Sequence, residues 1–124
     1  MAYQTFEELE VWKLSRTFAV EIYRALGNCR DFRFRDQITA AACSISNNIA
    51  EGSERIHRAE FVQFLGYAKG SAAEVRNQLY LAEDLGYLAP DQADELRAKA
   101  RTIGGKTYAL IRRISELKSP PSTH

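Results

Sequence analysis

Few side chains in this chain have the types and spacing that chemistry needs. Glu54 and His57 form one Glu-x-x-His pair. A di-iron centre in a helical bundle needs two such pairs plus two further inward carboxylates. The chain holds two histidines, and the other, His124, stands at the end of the sequence. The stoichiometry fails, so no metal is expected, and His57 reads as a solvent-exposed loop residue beside Arg55 and Arg58. Cys43 follows a run of alanines inside a predicted helix, away from a helix N-terminus that would lower its pKa. Cys29 has only Arg30 as a cationic neighbour in sequence. Both cysteines are expected as reduced thiols. No Walker-type phosphate loop is present. No catalytic residue and no cofactor are expected, and the chain is not expected to be an enzyme.

Charge is more informative. Residues 97–118 carry seven basic side chains (Arg97, Lys99, Arg101, Lys106, Arg112, Arg113, Lys118) against one acid, Glu116. That segment is +6 within a chain whose formal net charge is +1. On a helical wheel Arg97, Arg101, Tyr108 and Arg112 fall on one stripe. Cations with an aromatic among them suit phosphate contact plus base stacking. The expected nucleic-acid contacts are therefore Arg97, Arg101, Lys106, Tyr108, Arg112 and Arg113. The bland alternative is a solvated face, or ion pairs with acids of a neighbouring subunit. Arg30, Arg33 and Arg35 make a second, smaller basic cluster.

Polar residues also recur at helical spacing. Gln37, Ser44, Asn48 and Glu51 share one flank of a predicted helix, and Ser71, Glu74 and Gln78 share a flank of the next. Two facing polar stripes predict an interhelical hydrogen-bond network that fixes register. The sharper alternative is a small-molecule or ion site inside the bundle.

These residues must be positioned by helices, because no strand alternation survives anywhere. Four segments show helical periodicity, at about residues 6–26, 33–54, 59–85 and 90–117. In the first, Val11, Trp12, Leu14, Phe18, Ile22 and Leu26 occupy one half of the wheel, with Gly27 and Asn28 as the stop. Phe6, Leu9 and Val20 lie outside that half. The apolar arc is wider than one seam uses, which makes Trp12 and Phe18 candidate subunit contacts; the alternative packs them within the chain's own core. The second segment repeats Phe34, Ile38, Ala41, Ile45 and Ile49 after Asp31, a candidate N-cap. Gly52 and Ser53 weaken its end. The third alternates spacings of four and three from Phe61 through Ala82, a heptad seam. Gly66 and Gly70 form a GxxxG that reads as tight packing. The fourth opens on Pro90, well suited to a first helical position. Gly104–Gly105 inside it signal a kink or a close contact. Short loops force antiparallel neighbours. The expected fold is all-α: a single-domain, antiparallel, up-down-up-down four-helix bundle over residues 1–118, with a flexible tail at 119–124.

Composition agrees. The 124 residues are 45% hydrophobic and 27% charged, which excludes a disordered or fibrous chain. The first residues carry Glu7, Glu8, Glu10 and Lys13 and lack an apolar stretch, so no signal peptide is expected. No uncharged apolar run approaches a membrane span. A cytoplasmic location, with no membrane partner, is expected.

Two stretches carry a family resemblance. One is Gln37-Ile38, Ala41-Ala42, Ser44-Ile45 and then Asn48-Ile49-Ala50-Glu51-Gly52. The other is Phe61, Phe64-Leu65, Ala68, Gly70-Ser71-Ala72-Ala73-Glu74, Gln78-Leu79 and Leu85-Gly86-Tyr87. With Leu9-Glu10-Val11-Trp12, they resemble the four-helix-bundle proteins encoded in intervening sequences of bacterial 23S rRNA genes, also labelled the S23 ribosomal protein family. The chain is similar, more distantly, to the accessory variability determinant of diversity-generating retroelements. The resemblance implies an antiparallel bundle assembling as a homopentameric ring, associated with nucleic acid and without catalysis. Thr39 and Ala40 stand where that pattern carries basic residues after the Gln-Ile pair, so no phosphate contact is assigned there. Five copies of a +6 helix on one ring would sum to a strong local field. The expected function is a self-assembling bundle that binds RNA or DNA. The alternative is an interaction scaffold whose basic faces dock an acidic protein partner.

Overall fold

The computed structural model describes residues 5–118. The tail expected at 119–124 lies outside the described residues. A 3-10 turn at Phe6–Glu8 precedes four helices: α1 Glu10–Ala25, α2 Phe32–Ser53, α3 Arg58–Asp84 and α4 Pro90–Lys118. They form an antiparallel up-down-up-down four-helix bundle, as the periodicity predicts. Each helix packs on its neighbours in the order α1, α2, α3, α4 and back to α1, so α1 faces α3 only across the diagonal.

Local chemistry sets the ends. The first predicted helix does not run unbroken from residue 6. Leu9 is extended (φ −75°, ψ 126°) and buried, so the chain turns there and α1 starts at Glu10. Phe6 folds back edge-on to Trp12, with ring centroids 5.1 Å apart. The Asp31 carboxylate caps α2 by accepting the Phe34 N–H at 3.1 Å. Gly86 takes φ +77° just after α3, the left-handed geometry that glycine adopts freely. There Tyr87 N–H bonds Ala82 O at 2.8 Å and Gly86 N–H bonds Glu83 O at 3.0 Å, which completes a Schellman close. Pro90 opens α4, where its missing N–H costs nothing.

The core is one cluster of Phe18, Ile22, Leu26, Ile38, Ile45, Ile49, Leu65, Leu79 and Ile103 with alanines from every helix. Alanines at 68, 72 and 82 of α3 and at 93 and 100 of α4 are buried, and these two helices are the most extensively packed pair. Gly52 stands in the last turn of α2, which ends at Ser53 as expected, and it also has a packing role. It is buried inside α2, and a Cβ there would stand 2.6 Å from Phe64 Cβ and 3.1 Å from Phe61 Cδ1. The glycine that closes the Asn-Ile-Ala-Glu-Gly string is therefore the close-approach point of α2 and α3. The seam between α1 and α4 packs least. A largely apolar cleft of about 470 Å³ opens there beside Leu14, Phe18 and Ile103. Ion pairs of Lys99 with Glu21 and of Lys106 with Glu10 bridge that seam. No helix among the described residues is long and apolar enough to cross a membrane.

Candidate nucleic-acid interface

The basic residues of α4 do not share one stripe. Arg97 is only 7% exposed. Its guanidinium donates to Glu83 Oε1 at 2.8 Å and Asp94 Oδ1 at 3.3 Å, and it covers the Tyr80 ring at 4.1 Å. Burial opposes its charge, but the bond to Glu83 and then the pair with Asp94 leave its pKa raised. Arg97 is a structural cation, which corrects its expected place among the surface contacts. A helical stripe adjacent to a core seam turns inward at one end when a facing helix supplies a carboxylate, and Glu83 supplies it here.

The remaining five divide. Lys106 and Arg113 flank the α1 side of α4, beside a cleft of about 310 Å³ that Glu10 also lines. Arg112 is exposed and stands 4.0 Å from Glu116. Arg101 and Tyr108 face α3. There they line an open groove of about 240 Å³ with Lys69, Arg76, Gly104 and Gly105.

Register explains the groove. Arg97 lies over Tyr80, and Lys69 Nζ lies 5.9 Å from the Tyr108 ring centroid. Stepping back along α3 and forward along α4 between those two contacts brings Arg76 level with Arg101. The same stepping sets Ala72-Ala73 opposite Gly104-Gly105. Each helix thus contributes a cation, two small residues and a second large polar group at spacings of three, four and seven, all on one face. The cations Lys69, Arg76 and Arg101 have no carboxylate within 4.0 Å among the described residues, whereas Arg97 and Lys99 each have two and Lys106 has one. Sequence reading missed Lys69 and Arg76. The signal was present as Lys69-x-x-Ala72-Ala73-x-x-Arg76, but it acquires meaning only beside its antiparallel counterpart.

The glycines of this groove are not a packing requirement. An added Cβ at Gly104 or Gly105 would meet nothing within 4 Å, and the same holds for Gly66 and Gly70. This corrects the reading of both glycine pairs as close contacts within the protomer. α4 runs through Gly104–Gly105 without a break, although each glycine costs about 1 kcal/mol relative to alanine in a helix interior.

The predicted polar network is smaller than expected. Ser44 Oγ and Ser71 Oγ are 2.9 Å apart across α2 and α3, and Asn48 Nδ2 donates to Ser44 Oγ at 2.9 Å. Gln37 and Glu74 are exposed, and exposed Glu51 pairs with Arg55 on its own helix at 3.0 Å. Gln78 is buried with no hydrogen-bond partner for its Oε1. The network is a Ser-Ser-Asn cluster, with no carboxylate drawn into it. Of the two expected subunit contacts, Phe18 is 1% exposed and belongs to the protomer's own core. Trp12 is half-buried, with Arg16 over its ring at 5.6 Å.

The model of the family described as 23S rRNA-intervening sequence protein matches residues 7–109. The chain belongs to this family. Among solved structures, this family member is similar to a crystal structure described as a protein with unknown function from the S23 ribosomal protein family of Bacteroides thetaiotaomicron VPI-5482. The two share 28% identity over 82% of this chain and 97% of that one, with a TM-score of 0.77. No protein with a curated description matches. The match to the family model includes both α3 and α4 faces of the groove.

Proposed function

We propose that this family member is a non-enzymatic, self-assembling cytoplasmic bundle that binds RNA or DNA through the basic face joining α3 and α4. The observation that carries the reading is the convergence of Lys69, Arg76 and Arg101 on one groove without carboxylate partners. Cations left unpaired beside each other repel, and a polyanion relieves that repulsion while releasing its own counterions. Arg112, Arg113 and Lys106 extend the field around α4, and Tyr108 adds a stacking surface. Arg97 is not part of the set. Affinity would come from phosphate charge, with little reading of base sequence.

Assembly into a ring of five follows the family resemblance. Exposed apolar side chains support association: Val20 and Tyr23 on α1, Leu81 on α3, and Leu85 at its C-cap. Patches on two diagonal helices suit a heterologous contact, the type that closes rings. Repetition around a ring would multiply the groove's field even though the chain is nearly neutral.

The test is fluorescence anisotropy with labelled RNA at low salt, with light scattering coupled to sizing on the same samples. Wild type is expected to bind, at a mass of five chains. Lys69→Ala/Arg76→Ala/Arg101→Ala is expected to bind at least tenfold more weakly at unchanged mass. Absence of binding at low salt would overturn the reading. Recovery of an acidic protein partner after nuclease treatment, with no polynucleotide bound, would replace it with the scaffold reading.

A further inference from the structure

We propose that the α3–α4 groove takes a single-stranded polynucleotide, with one unpaired base stacked on Tyr108 and phosphates held by Lys69, Arg76 and Arg101. This deepens, and rests on, the nucleic-acid reading above. Three observations select a single strand over a duplex.

Tyr108 is half-exposed within the basic groove. A duplex keeps its bases stacked on one another and offers a groove of this kind only phosphates. An exposed aromatic among cations is the arrangement that an unpaired base uses. Lys69 Nζ stands 5.9 Å from the Tyr108 centroid, at the outer limit of a cation–π contact. Its flexible stem can turn the ammonium onto a phosphate as a base takes the ring.

The dimensions agree. Seven residues separate Lys69 from Arg76, and Arg101 from Tyr108, which is about 10 Å along each helix. Cationic groups therefore stand at both ends of a short trough of about 240 Å³. That length suits a short stretch of strand and is too brief for an extended duplex contact.

The wall of the trough carries the third observation. Gly104 and Gly105 lie on the groove, and side chains there would meet nothing in the protein. The fold does not require glycine at either place. Glycine there lowers the wall and lets a sugar-phosphate chain approach the helix backbone.

The experiment uses the full chain with two labelled probes, oligouridylate and an RNA duplex of the same length. Wild type is expected to bind the single strand at least tenfold more tightly. Tyr108→Ala is expected to lose most of that preference, and Tyr108→Phe to keep it, because the ring rather than the hydroxyl stacks. Gly105→Leu is expected to weaken single-strand binding at least fivefold while the thermal midpoint holds or rises. Equal affinity for both probes, or an unchanged preference in Tyr108→Ala, would overturn this inference while leaving the basic-surface reading intact. A change of oligomeric mass in Gly105→Leu would also overturn it, by making the trough a seat for a second copy. Failure of both probes to bind at low salt would remove the underlying reading as well.

Discussion

At the scale of single residues, the chain uses glycine in two opposed ways. Gly52 is wedged against Phe61 and Phe64, so an added methyl must push α2 away from α3. Gly52→Ala is expected to destabilise the protein by about 1–3 kcal/mol through overpacking. Gly104→Ala meets no neighbour and is expected to stabilise it by about 1 kcal/mol through helix propensity. Urea denaturation of the two variants checks both signs, and equal shifts in one direction would contradict the account. Neither sign was legible beforehand. In sequence Gly52 reads only as weakening a helix end and Gly104–Gly105 as a kink or contact, because a string cannot say which glycine faces a neighbouring helix. Arg97 and Arg101 teach the same lesson. They are one turn apart on α4, yet Glu83 and Tyr80 cover Arg97 and leave Arg101 exposed.

At the scale of elements, the loops at one end of the bundle are tied by a single acid. Asp31 caps α2 and also accepts the Tyr87 hydroxyl at 2.6 Å from the α3–α4 connection. The Tyr87 bond, then the Phe34 N–H, hold the Asp31 carboxyl below its ordinary value of 3.8. The same bond to Asp31, with burial second, pushes the Tyr87 hydroxyl up to about 12 from 10.0. The signs are opposite. The Asp31 contribution to stability is present above pH 3.8 and is lost as pH falls through its lowered folded value. The Tyr87 contribution is complete below pH 10.0 and is lost as pH rises from there toward about 12. Denaturation across pH should therefore show losses at both extremes that are smaller in Tyr87→Phe. Identical pH profiles for the two proteins would contradict the tie. Sequence showed Asp31 as a cap because an acid before an apolar period is a local signal. Tyr87 stayed hidden because it is 56 residues away in the chain. The heptad spacing of Phe61 through Ala82 likewise predicted that α3 packs, but not the register that sets Lys69 beside Tyr108.

At the scale of the whole molecule, charge is arranged rather than accumulated. The chain is nearly neutral, at +1, because seventeen Lys and Arg stand against sixteen Asp and Glu. Along the α1–α4 seam Glu21 and Glu10 hold Lys99 and Lys106. On the α3–α4 face no such acids stand near Lys69, Arg76 and Arg101. A polyanion approaching this face meets cations that no carboxylate answers, and a ring would present them repeatedly. The most direct measurement is the salt dependence of polynucleotide affinity in wild type and in Lys69→Ala/Arg76→Ala/Arg101→Ala. Each single-strand phosphate neutralised contributes about −0.7 to the slope of log affinity against log salt. The account predicts a slope in the variant that is shallower by roughly 2 for each groove engaged. Parallel lines for the two proteins would contradict it.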